Sequence, residues 1–228
     1  MKGSLYIVST PIGNYDDMTF RGLNTLKEVN FVICEEFKDA RRLLSHFKIE
    51  KEMISLNEHN EKDVVNDILL RIVNGENAAL ISDCGTPLFS DPGHLLVELL
   101  ISQKIRIIPV TGANSLLPAL VGSGLDMEKF FYYGWLSPKK NERRKQLLDL
   151  KRRNELTVIL DTPYRLRSLL TDVVKILGEN LPAVLAFQIS MPDENFFRGT
   201  VSDILKTAEK NSLKGEYVLI LDLRRRRN

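Results

Sequence analysis

Three short segments share a composition suited to holding a small ligand: Thr10-Pro11-Ile12-Gly13-Asn14, Ser82-Asp83-Cys84-Gly85-Thr86-Pro87 and Thr111-Gly112-Ala113-Asn114-Ser115. Each combines hydroxyl or amide side chains with glycine. A backbone without Cβ lets N–H groups come close to a carboxylate or a ribose, and the N–H groups at the start of a following helix favour an anion. The middle segment is the densest: residues 80–93, LISDCGTPLFSDPG, contain two carboxylates, a thiol, two glycines and two prolines. Glycine, proline and aspartate also dominate ordinary turns. One such segment would mean only a change of chain direction; three in corresponding places point to a common site.

Each segment follows a short apolar run. Residues 5–9, 30–35, 78–82 and 105–110 read as buried strands, whereas 19–28, 38–47, 61–73 and 93–103 space their apolar residues three and four apart, as helices do. This strand-helix repetition predicts an α/β fold with a mostly parallel sheet, and it puts the three segments at strand carboxyl ends, where ligands of open α/β sheets bind. A second series follows with a different rhythm, with strands near 130–135, 156–161, 182–188 and 216–222 and helices near 141–152, 164–177 and 201–211. Between the series, Thr111 to Ser115 reads as a turn feeding a short helix, and Gly122, Ser123 and Gly124 loosen the chain. Two α/β domains are therefore expected, 1–116 and 117–228.

Composition limits the function classes. A chain of 228 residues that is 43% hydrophobic can bury a sizeable core. Its 32 Lys+Arg against 30 Asp+Glu leave a net charge of only +2, so any nucleic-acid-binding surface must be local. The first apolar run is too short for a signal peptide, and no segment offers about eighteen uninterrupted apolar residues. A cytoplasmic protein without membrane contact is expected. Cys34 and Cys84 make neither a disulfide framework nor a zinc spacing, and with only His46, His59 and His94 no metal site is expected. Cys84 reads as a small apolar side chain packed into its loop.

The segment from Leu5 to Asn14, the Ser82–Pro87 loop with its Ser90-Asp91-Pro92-Gly93 extension, and Glu58-His59-Asn60 closely resemble the ribosomal RNA small subunit methyltransferase I group of the tetrapyrrole methylase superfamily. The resemblance continues through Gly134-Trp135-Leu136-Ser137-Pro138-Lys139-Lys140, weakens at Asp161-Thr162-Pro163-Tyr164-Arg165-Leu166 and returns in Lys214-Gly215-Glu216-Tyr217-Val218-Leu219. It implies two α/β domains of the tetrapyrrole methylase type, usually in a homodimer, with S-adenosylmethionine in the cleft between domains. The residues it implies for the cofactor are Pro11, Gly13, Ser82, Asp83, Gly85, Thr86, Phe89, Thr111, Gly112, Asn114, Ser115, Tyr133 and Thr162. The implied activity is methyl transfer to small-subunit ribosomal RNA at a ribose 2′-hydroxyl. Removing that hydroxyl's proton would fall to Glu35, Glu36, His59 or Asp83 as base or orienting group. The chain departs from the group at Glu35-Glu36-Phe37-Lys38, where relatives read Glu-Asp-Thr-Arg, and at Phe187-Gln188-Ile189-Ser190-Met191-Pro192, where they carry two further cations. It also stops soon after its last strand, short of the C-terminal segment of many relatives.

Basic residues gather after Trp135 and at the C-terminus. Lys139, Lys140, Arg143 and Arg144 are the candidate RNA-binding group, with Lys145, Lys151, Arg152 and Arg153 further along and Arg224–Arg227 closing the chain. Tyr132, Tyr133 and Trp135 are nearby stacking surfaces. Such charge runs are also ordinary solvated faces. Two other readings stand beside RNA methylation: a small-molecule methyltransferase like the tetrapyrrole-modifying branch, and a protein that binds the cofactor without catalysis.

Overall fold

A computed structural model describes residues 1–89 and 91–224; Ser90 and the run from Arg225 to Asn228 lie outside the described residues. The chain forms two compact units, Met1–Asn114 and Ser115–Asn228.

The first unit contains β1 (Ser4–Val8), α1 (Phe20–Glu28), β2 (Phe31–Cys34), α2 (Phe37–His46), β3 (Glu52–Ser55), α3 (Glu61–Val73), β4 (Ala78–Leu80), α4 (His94–Ser102) and β5 (Arg106–Val110). Its five strands are ordered β3-β2-β4-β1-β5, all parallel. The central strands are apolar on both sides because helices cover both faces. Val8, Val32, Cys34 and Ala79 pack with Leu26 of α1 and Leu43 of α2, while Leu5, Phe31, Ile33 and Leu80 pack with Ile68 of α3 and Leu96 of α4. From β1 the chain crosses β4 to reach β2; from β4 it crosses β1 to reach β5. The two neighbouring strands therefore send their connections in opposite directions, which opens a crevice above their carboxyl ends.

The second unit contains α5 (Leu116–Ser123), β6 (Phe131–Trp135), α6 (Lys140–Arg153), β7 (Leu156–Asp161), α7 (Leu166–Leu177), β8 (Pro182–Phe187), β9 (Asn195–Thr200), α8 (Val201–Lys210) and β10 (Tyr217–Asp222). The strands are ordered β6-β7-β10-β8-β9 in a mixed sheet: β6–β7 is a parallel pair, whereas β7–β10, β10–β8 and β8–β9 are antiparallel. The cause is one unrecognised strand. Every helical crossover preserves direction, but β8 turns directly into β9, and that hairpin reverses both β9 and the β10 that follows α8. Leu147 and Leu150 of α6, Leu169 and Val173 of α7 and Ile204 of α8 pack on Ile159, Leu185 and Leu219. The other face of the sheet meets α5 at β8, β9 and β10. Among the described residues no helix is long and apolar enough to cross a membrane.

Candidate cofactor and acceptor site

In the first unit the three glycine-containing loops are joined by hydrogen bonds. Thr10 and Gly85 exchange backbone bonds, Thr10 N–H to Gly85 O at 2.8 Å and Gly85 N–H to Thr10 O at 3.1 Å. Ser9 Oγ lies 3.0 Å from Thr86 Oγ1, and Thr86 Oγ1 donates to Ala113 O at 3.3 Å. The loops after β1, β4 and β5 are thus one connected surface because β4, β1 and β5 are neighbours in the sheet. Gly85 has φ +82°, a left-handed conformation that a side chain disfavours, and a Cβ there would also press on Ile12 Cγ2 at 3.3 Å. Gly112 is glycine for a different reason: its Cβ would meet Ser9 Cβ at 3.0 Å and Ser9 O at 3.3 Å. Close approach at Gly112 is therefore loop against loop, where the sequence suggests loop against ligand.

Pro11 and Ser82 are buried, and the Ser82 hydroxyl donates inward to the carbonyls of Cys84 and Gly85 at 3.1 and 3.2 Å, closing the turn. Gly13, Asp83, Thr86, Phe89 and Thr111 are exposed, while Gly112 and Asn114 are half-buried. Cys84 is exposed, which corrects the expectation that it packs as a small apolar side chain; the buried thiol is Cys34. The tight turn held by Ser82 and Gly85 faces the Cys84 side chain outward.

Carboxylates cluster beside these loops. Burial, then Asp83, Asp91, Glu36 and Glu58, raise the Glu35 carboxyl above its ordinary value. Asp83, though exposed, is desolvated in part by the surrounding loop, which raises its carboxyl against the Glu36 N–H that donates to its Oδ1 at 3.4 Å, and burial and then Asp83 raise Asp91. Asp91 was not among the expected site residues; its place in the same loop as Asp83 was the available signal. Glu36 is exposed on the same strand end. His59 stands in solvent with its side chain 88% exposed and its Nε2 4.0 Å from Glu58.

Ser115, Tyr133 and Thr162 belong to the second unit. Ser115 begins α5. Tyr133 packs edge-on to Phe131 with 6.1 Å between ring centroids, and burial raises its hydroxyl pKa. Thr162 donates its N–H to Asp161 Oδ1 at 2.7 Å.

The expected RNA-binding cations divide. Lys139 and Lys140 are exposed. Arg143 is buried, and this corrects its assignment to an RNA-facing group: its Nη2 and Nε donate to Asp172 Oδ2 at 2.6 and 3.0 Å, and its Nη1 donates to Pro138 O at 3.1 Å. Arg144 is half-buried and donates from Nε to Asp172 Oδ1 at 2.7 Å. The signal was available, because Arg143 shares the helix face of Leu147 and Leu150, both in the core.

The loop surface suits S-adenosylmethionine. That molecule carries cationic sulfonium and ammonium groups, a carboxylate, a ribose and a purine; the loops offer the Thr86 and Thr111 hydroxyls, glycine backbone and an anionic margin of Glu35, Asp83 and Asp91 that favours cations. Comparison with known proteins agrees. Residues 4–205 match the family model of the Tetrapyrrole (Corrin/Porphyrin) Methylases. The ribosomal RNA small subunit methyltransferase I of Halalkalibacterium halodurans is 37% identical over 221 residues, 97% of this chain and 76% of that protein. The protein of the same description from Synechocystis sp. is 39% identical over 96% of this chain and 78% of its own length. A solved cobalt precorrin-4 methyltransferase superposes with a TM-score of 0.70 over 96% of this chain and 94% of its own at 18% identity, a likeness of fold. With crossed loops, switch point and near full-length similarity in agreement, the chain belongs to the tetrapyrrole methylase family and is an S-adenosylmethionine-dependent methyltransferase.

Proposed function

We propose that this protein methylates a ribose 2′-hydroxyl of small-subunit ribosomal RNA, in the cytoplasm and as a homodimer. The observation that carries the reading is identity of 37% or more over at least 96% of the chain to proteins described as ribosomal RNA small subunit methyltransferase I. S-adenosylmethionine supplies a methyl group already activated on a sulfonium, so the protein's task is to align the acceptor, exclude water and take one proton. Thr86, Thr111, Gly85 and the 112–114 backbone hold the cofactor in this reading. Glu35 accepts the hydroxyl proton on its carboxylate and Asp83 orients the hydroxyl. Burial and neighbouring carboxylates raise the Glu35 carboxyl and make it a stronger base than an ordinary carboxylate, and Glu35 is partly shielded where Glu36 and His59 stand in solvent.

The reading is tested with small subunits from a strain lacking this protein, incubated with the purified chain and methyl-labelled S-adenosylmethionine. Label is expected in the ribosomal RNA at a linkage that resists alkali, since a 2′-O-methyl removes the hydroxyl that alkaline cleavage needs. Label confined to a small-molecule pool would establish the tetrapyrrole-like alternative. Cofactor binding without transfer to either would reduce the protein to a binding module.

A further inference from the structure

We infer that one edge of the second sheet is a platform for single-stranded RNA, on which Tyr164 stacks a base while Lys214, Lys139 and Lys140 meet phosphates; the inference rests on the RNA reading above. The sheet topology brings these residues together. β6 and β7 are parallel, with Trp135 opposite Leu160, so the segments leaving their carboxyl ends, 136–140 and 162–165, emerge side by side. β10 runs antiparallel to β7 with Tyr217 opposite Asp161, so Lys214, just before β10, lies at the same edge.

Two arginines fix this edge in place. Arg165 donates from Nη2 to Leu136 O at 2.7 Å and to Ser137 O at 2.9 Å, and its Nε lies 3.2 Å from Oδ1 of the buried Asp161. Arg143, held by Asp172, donates to Pro138 O of the same segment. The segment before Lys139 and Lys140 and the 3-10 turn Pro163–Arg165 are therefore clamped together. On that clamped turn Tyr164 is 82% exposed, a large ring presented to water on rigid backbone. The Lys214 ammonium lies 4.9 Å from the ring centroid. It lies over one face of the ring, and 82% exposure leaves most of the side chain in water. Lys139 is 77% exposed, and its pairing with Glu142 at 3.4 Å is of the surface kind that contributes little.

An exposed aromatic ring among cations is what an unpaired base and its flanking phosphates require: every base has a face that stacks, and each phosphate gains from a nearby ammonium. Charge supports RNA at this edge in particular. The first unit's loops are bordered by Glu35, Asp83 and Asp91, which repel phosphate, so phosphate contacts must be supplied elsewhere.

The test uses the full chain and a single-stranded oligoribonucleotide carrying 2-aminopurine, whose fluorescence falls when it stacks. Tyr164→Ala is expected to abolish the quenching and weaken binding roughly tenfold with an unchanged salt slope, whereas Tyr164→Phe keeps both. Lys139→Gln with Lys140→Gln is expected to keep the quenching and lower the log–log salt slope by about 1.4, close to 0.7 for each lost phosphate contact. Lys214→Gln should weaken binding and lower the slope by about 0.7. Thermal melting of each variant separates lost contacts from lost structure. If the wild-type chain binds RNA and Tyr164→Ala binds as tightly with full quenching, the platform is overturned and the RNA reading stands. If the wild-type chain binds no RNA, the RNA reading fails and the platform with it.

Discussion

Burial and neighbouring carboxylates raise Glu35 and Asp91, and at Asp83 burial outweighs the Glu36 N–H, so the effect of all three on stability has a definite sign. Between the ordinary carboxylate range and their raised values, the folded protein binds more protons than the unfolded chain, and stability contributed by these groups falls as pH rises through that window. The variant Glu35→Gln/Asp83→Asn/Asp91→Asn should therefore gain stability relative to wild type between about pH 4 and pH 7. Denaturant titrations at both pH values check this; a difference that stays constant or runs the other way contradicts it. At this scale the sequence shows residue types well and their surroundings poorly. The 82–87 loop is legible from composition because glycine and hydroxyl residues have few other reasons to be so dense there. Arg143 is not legible from charge, since only Asp172, 29 residues later, explains where its guanidinium goes.

Helix α6 looks polar along most of its length, and its attachment depends on one carboxylate as well as on leucines. Burial alone would raise Asp172, but hydrogen bonds from Arg144 and Arg143 outweigh it and hold the carboxyl below its ordinary value. Asp172→Asn leaves the Arg143 charge buried without compensation and should cost about 3–5 kcal/mol, read as a lower urea midpoint at unchanged m. Arg143→Met combined with Asp172→Leu should cost far less, because an apolar pair leaves no buried charge. A loss under about 1 kcal/mol in Asp172→Asn would show that α6 is held by its leucines alone. β2 and β7, packed on both faces, coincide with their apolar runs, and α3 follows the three-and-four spacing of its buried Val65, Ile68 and Ile72. β3 and β9 were not legible, because both lie at sheet edges, where half of the side chains need not be apolar. Without β9 the sequence carries no sign that β10 runs against β7 and β8.

For the whole molecule, a net charge of +2 averages over a loop margin with Glu35, Asp83 and Asp91 in the first unit and the exposed Lys139, Lys140 and Lys214 in the second. Average charge therefore says little about what the protein binds. The two thiols are divided just as unevenly, and this gives the molecule a built-in optical reporter. Cys34 is buried, and burial followed by Asp83 and Glu36 pushes its thiol up to about 11, while Cys84 is exposed beside Gly85 in the loop we propose for the cofactor. A maleimide dye should therefore attach to Cys84 at neutral pH and leave Cys34 untouched, as peptide mapping by mass spectrometry would show. S-adenosylmethionine should slow the labelling or shift the emission of dye already attached. Cofactor affinity could then be read by fluorescence without engineering a single residue, and equal labelling at both cysteines would mean that the first unit opens in solution.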